Sequence, residues 1–112
     1  MEVSVETEEG ICFVTVEEER IDASVALAFK EAMRKATDVA CENVLLDLDQ
    51  VTFIDSSGLG ALVATLKYLT PEKTLSLAGM TPAVQKVFEL TRMDTVFQMY
   101  AKRADALSAL KE

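Results

Sequence analysis

Histidine and tryptophan are absent, and cysteine, proline and glycine are scarce at two, two and four among 112 residues. Without histidine, the usual base that activates a serine or cysteine nucleophile is missing. The same absence, with only two thiols, argues against a zinc site, and no metal or cofactor is expected. Two cysteines do not make a disulfide framework. Cys12 lies in an apolar run and is expected as a buried thiol, while Cys41, just past a helix, is the candidate for exposure. Basic residues are outnumbered, 11 against 19 acidic ones, leaving a formal net charge of −8. Such a balance repels nucleic-acid phosphates and suggests a partner with basic patches. No apolar stretch approaches the length of a membrane span. The opening Met1-Glu2-Val3-Ser4 has neither the basic nor the apolar part of a secretory signal. A soluble, cytoplasmic protein is expected.

Half of the residues are hydrophobic, enough to bury a core without staples. No repeat, linker or low-complexity tract appears, so a single domain over residues 1–112 is expected. The glutamates of Glu6 to Glu9 and Glu17 to Glu19 fit solvated edges better than an acidic site. Val3 to Glu6 alternates as a half-buried strand, Gly10 marks a turn, and Ile11 to Val16 pairs back as a hairpin. Asp22 is a good N-cap for a helix reaching about Thr37, with Val25, Ala28, Phe29, Ala32, Met33 and Ala36 on its apolar face. Asn43 to Leu48 is nearly all apolar, as in a central strand covered on both faces. Val51 to Ile54 follows as a turn or strand end.

From Ser56 or Ser57 a second helix begins, lined by Leu59, Leu62, Val63, Leu66 and Leu69 and ending before Pro71. Leu75 to Ala78 is a short strand closed by Gly79. Thr81 caps a third helix with Pro82 at its first position, and Val84, Val87, Phe88 and Thr91 face inward. Val96 to Tyr100 is a last strand. Ala101 to Lys111 is a terminal helix with Ala104, Leu107 and Leu110 on its apolar side. Alternating strands and helices after a hairpin predict an α/β fold: a mixed, largely parallel sheet of four or five strands flanked by about four helices.

One segment stands out: Phe53-Ile54-Asp55-Ser56-Ser57-Gly58-Leu59-Gly60. It lies where a buried strand hands over to a helix, and partner sites gather at the carboxyl ends of such strands. Backbone N–H groups of the first turn are unpaired there. The segment lacks a G-x-S-x-G elbow, and no Walker loop occurs in the chain. A dinucleotide fingerprint fails at Val63, where its third glycine would stand. The plain alternative is that Asp55 or a serine simply caps the helix, and the residues alone leave both readings open.

The segment resembles the signature of STAS domains, specifically of bacterial anti-sigma-factor antagonists. Val44-Leu45-Leu46-Asp47-Leu48 is similar to the family's preceding strand. Leu77 to Val84 and Phe88-Glu89-Leu90-Thr91 are similar to its next strand and helix. The resemblance implies the STAS fold and a regulatory module rather than an enzyme, with no catalytic residues. An unphosphorylated antagonist of this kind binds an anti-sigma factor that is also a serine kinase, freeing the sigma factor. The kinase, using ATP and magnesium, phosphorylates the first serine after the aspartate, which matches Ser56, and a serine phosphatase resets it. By the same resemblance the partner surface comprises Asp22, Asp55, Ser57, Gly58, Leu59 and Gly60. Two departures appear. Glu19-Arg20-Ile21-Asp22 lacks the glycine often found before the first helix, and Arg92 stands where a glycine is common. The alternative is a STAS scaffold in a stressosome-like or lipid-transport complex.

Overall fold

The computed structural model describes residues 1–111. A hairpin opens the chain: β1 (Val3–Glu8) runs antiparallel to β2 (Ile11–Val16), with Val3 opposite Val16. Its turn uses Glu9 and Gly10, both at positive φ (49° and 80°). The strands β4 (Asn43–Asp47), β6 (Thr74–Ala78) and β7 (Gln98–Tyr100) join β2 in parallel, in the order β1-β2-β4-β6-β7. Two short strands, β3 (Arg20–Ile21) and β5 (Phe53–Ile54), form a separate parallel pair. Helices α1 (Ala26–Ala36), α2 (Ser56–Leu69), α3 (Pro82–Leu90) and α4 (Arg103–Leu110) complete the fold. The expected mixed, largely parallel sheet with four helices is therefore present.

Alternation along the strands sorts the core into two faces. Cys12, Val14, Val16, Val44, Leu46, Leu75 and Leu77 belong to one cluster with Phe29 and Met33 of α1, Leu59 and Leu62 of α2, and Val84 and Phe88 of α3. Ile11, Phe13, Leu45 and Ala78 face the other way, under Ala106 of α4. The strand β1 is one edge of the sheet and is mostly exposed, not half-buried. Glutamates of β1 and its turn meet α4 and the residue after it, Glu6 with Arg103 at 3.7 Å and Glu9 with Lys111 at 3.1 Å. Charge along an edge discourages pairing with another chain.

Several local expectations change. Of the pair β3–β5, β5 is the strand end expected within Val51 to Ile54, while β3 falls outside the predicted strands, because two residues are too few to show a period. Asp22 does not cap α1. Its Oδ1 accepts from the backbone N–H and hydroxyl of Ser24, closing a turn before a helix whose N-cap is Val25. Thr81 does stand at the N-cap of α3, with Pro82 first in the helix as expected, but its side chain makes no cap hydrogen bond, because its hydroxyl donates to the Val51 carbonyl at 2.8 Å. Thr91 is exposed at the end of α3, its hydroxyl turned back to the Val87 carbonyl. In α4 the fully buried residue is Ala106, and Ala104 is exposed. The two cysteines are bonded to each other, their Cα atoms 6.0 Å apart, and Cys41 is buried rather than exposed. Arg92 adopts φ 63° just beyond α3, a left-handed conformation that favours glycine at a helix end.

Candidate functional site

The strand β5 ends in Ile54, whose side chain is buried, and Asp55 turns the chain into α2. Asp55 holds extended backbone angles while its Oδ1 accepts from the Gly58 N–H at 2.9 Å. This is a helix cap of the kind worth about 1 kcal/mol. The second oxygen, Oδ2, accepts from the Ala23 N–H at 3.2 Å. One carboxylate thus ties the start of α2 to the turn before α1. Capping and a functional role were rival readings of this aspartate; the geometry supplies the cap and leaves both neighbouring serines free.

Ser56 and Ser57, the first two residues of α2, are both exposed. Their hydroxyls stand at the positive end of a 14-residue helix, where unpaired N–H groups and the helix dipole favour an anion. Gly60 is exposed too, with open space where a side chain would begin.

Gly58 and Leu59 do not belong to that exposed set. Both are buried. A Cβ on Gly58 would run into the Ile21 carbonyl and lie 2.8 Å from Ile54 Cγ1. The close backbone approach allowed by this glycine is therefore internal, between α2 and β3, and not with a partner. Leu59 lies on the apolar face of α2 and packs into the main core. Both are largely withdrawn from the surface, Leu59 keeping 8% of its area exposed.

Alternation in the small pair also explains the outer surface. Ile21 and Ile54 are registered partners and point inward, so the registered pair Arg20 and Phe53 points out. The Arg20 guanidinium lies 4.1 Å from the Phe53 ring centroid, and its Nε is 3.1 Å from Asp22 Oδ2. A cation over an aromatic face contributes about 0.5–1 kcal/mol at an exposed position. Hydrogen bonds from Ser24, then from Arg20, hold the Asp22 carboxyl below its ordinary value. The site therefore carries two neighbouring carboxylates, one cation and two hydroxyls. Arg20 and Phe53 escape sequence reasoning because only the register of a two-residue strand brings them together. Among the described residues no three acidic or sulfur ligands gather to hold a metal ion.

Residues 2–106 match the STAS domain family. The chain belongs to that family. A solved structure similar to this STAS chain is an anti-sigma factor antagonist from Mycobacterium paratuberculosis, 30% identical, with a TM-score of 0.87. The alignment covers 99% of this chain and 94% of that one. The anti-sigma F factor antagonist of Paenibacillus polymyxa is 22% identical over 99% of this chain and 96% of its own. The anti-sigma-B factor antagonist of Staphylococcus aureus is 28% identical over 63% of this chain and 67% of its own. No described helix is long and apolar enough to cross a membrane.

Proposed function

We propose that this STAS chain is an anti-sigma factor antagonist, one cytoplasmic domain that acts by binding and is switched by phosphorylation of Ser56. The observation that carries this reading is the separation within one motif. Ser56 and Ser57 are exposed at the mouth of α2, while Asp55 and Gly58 lock the turn from inside. A kinase can reach the hydroxyl without unfolding the helix, so modification changes the surface and leaves the scaffold in place.

A phosphoryl group brings about −1.5 to −2 charges and three acceptor oxygens. At the helix mouth these oxygens meet free N–H groups and a favourable dipole. Asp55 and Asp22 oppose them, but water and salt screen that repulsion at an exposed site. The hydrated dianion then stands in the middle of the contact surface formed by Asp22, Asp55, Ser57 and Gly60. Burying it without new cationic partners costs several kcal/mol. That is a large part of the roughly 8 kcal/mol that holds a micromolar complex together. The partner in this reading is an anti-sigma factor serine kinase, and a serine phosphatase restores the binding form.

Calorimetric titration of the phosphorylated and unmodified chain into the kinase tests the mechanism, and phosphopeptide mapping tests the site. Phosphate is expected on Ser56, with binding weakened at least about tenfold, a change of about 1.4 kcal/mol. Ser56→Ala should bind whatever the kinase state, and Ser56→Asp should bind poorly. Label confined to Ser57 refutes the site, and equal affinities of the two forms refute the switch.

A further inference from the structure

At the far end of α2 from the serines, a second group of reactive atoms comes together. Cys12 in β2 and Cys41, in the loop entering β4, are bonded across a separation of 29 residues. The Lys73 side chain reaches into that loop. Its Nζ donates to the carbonyls of Val39 at 2.6 Å and Cys41 at 2.7 Å, and stands 3.6 Å from Cys41 Sγ. A cavity of about 570 Å³ opens beside it, lined in part by Ala40 and Lys73, the neighbours of Cys41 in chain and in space. Cys12 is fully enclosed, whereas Cys41 keeps 7% of its surface exposed.

These atoms have an asymmetric chemistry. The thiolate, not the thiol, is the nucleophile, and an adjacent cation favours it. Among the described residues Cys41 has that cation, and its neighbours Ala40 and Lys73 line the cavity. A partner sulfur already in bonding position makes further oxidation slower than closure of the disulfide. Reducing compartments keep thiols reduced, and disulfides that do form there are usually transient.

We propose that Cys12 and Cys41 form a reversible dithiol–disulfide couple in which Cys41, set against Lys73 beside the cavity, is the sulfur that meets a peroxide first. The Cys41 thiolate attacks a peroxide oxygen. The O–O bond breaks, a hydroxide leaves and takes up a proton as water, and the sulfur becomes a sulfenic acid. Cys12 then attacks that sulfur. The S–O bond breaks, the S–S bond forms, and a second water leaves. Two thiols give up two electrons, and one peroxide accepts them. Two equivalents of a small thiol such as glutathione reverse the change and leave as its disulfide. Lys73 is a positioning residue in this scheme: it holds the loop through two carbonyls and presents its charge to the sulfur.

The test uses the full reduced chain, hydrogen peroxide, and mass spectrometry after trapping with dimedone and alkylation. The wild-type chain should lose both free thiols together and regain both with glutathione. Cys12→Ser should trap sulfenic acid on Cys41, and Cys41→Ser should leave Cys12 unmodified over the same time. Lys73→Met should slow the first step by about threefold to tenfold, since thiolate fraction falls while intrinsic nucleophilicity rises. Lys73→Arg should restore most of the rate, which a lysine with a purely structural role would not predict for a chemical step. The proposal is overturned by two thiols that stay alkylatable under peroxide, by Cys12 reacting as fast as Cys41, or by Lys73→Met reacting at the wild-type rate.

Discussion

The two faces of the five-stranded sheet are built differently. One carries α1, α2 and α3 over a cluster that includes Phe29, Leu46, Leu62 and Phe88. The other carries only α4 over Ile11, Phe13, Leu45 and Ala78. The serines project from the thick side, at the start of a helix whose inner face is buried over its whole length. A surface that must accept a dianion and keep its shape gains from that anchoring. The thin side has no such demand, and its cover leans partly on exposed charge, as in Arg103 with Glu6 and over the Phe13 ring at 4.4 Å.

The largest effect should come from a direct challenge to this contrast. Phe29 of α1 is fully buried, and Phe29→Ala should cost about 3–5 kcal/mol. Leu107 of α4 is only half-buried, and Leu107→Ala should cost about 1 kcal/mol. Urea unfolding measures both. Equal losses would mean that the faces share the load.

The next effect separates two glycines of one motif. Gly58→Ala forces a methyl group against the Ile21 carbonyl, and should destabilise by about 1–3 kcal/mol. Gly60→Ala meets nothing within 4 Å and should stabilise by about 0.5–1 kcal/mol through helix propensity. Thermal melts of the two variants should move in opposite directions. A harmless Gly58→Ala would release that glycine from the interior and return it to the partner surface.

Much of this was legible from residue patterns. The strands β2, β4 and β6 and the four helices follow from period and punctuation, because each is long enough for its apolar positions to repeat. What was not legible depends on distance through space. Nothing in the chain announces that Cys12 and Cys41 meet, since 29 residues separate them. The pair β3–β5 carries one inward side chain per strand, so no period exists to be seen. Gly58 and Gly60 look alike in the motif, and only the position of Ile21 tells them apart. Asp22 has the chemistry of a cap, yet its carboxylate is taken up by Ser24 and Arg20.

Arg92 sharpens the picture at the end of α3, on the thick side. Its φ of 63° suits glycine, and an L side chain there is under strain. Arg92→Gly should stabilise by about 0.5–1 kcal/mol, because relief of that strain exceeds the added freedom of the unfolded chain. A lower melting temperature would show that the arginine makes a compensating interaction.

The smallest effect concerns the rim of the thin side. Asp47 ends β4 on the same face as Leu45, half-buried, with Oδ1 accepting the Asp49 N–H at 3.0 Å. Burial raises its carboxyl above the ordinary value of 3.8, while the Asp49 backbone bond and the charge of Arg103 pull the other way. A raised carboxyl holds its proton more tightly in the folded chain than in the unfolded one. Its contribution to stability is therefore fully present below the unfolded pKa and is lost as pH rises through the folded one. Asp47→Asn removes the titration and keeps an oxygen for Asp49. At neutral pH the variant should match or exceed the wild type by about a few tenths of a kcal/mol, the effect being screened by water at a half-exposed group. The advantage should shrink as pH falls toward about 4, near the unfolded carboxylate range. Urea midpoints across that range give the sign. A wild type that gains on the variant as pH rises would mean that Arg103 outweighs burial, and that charge, not apolar cover, governs this edge of the thin face.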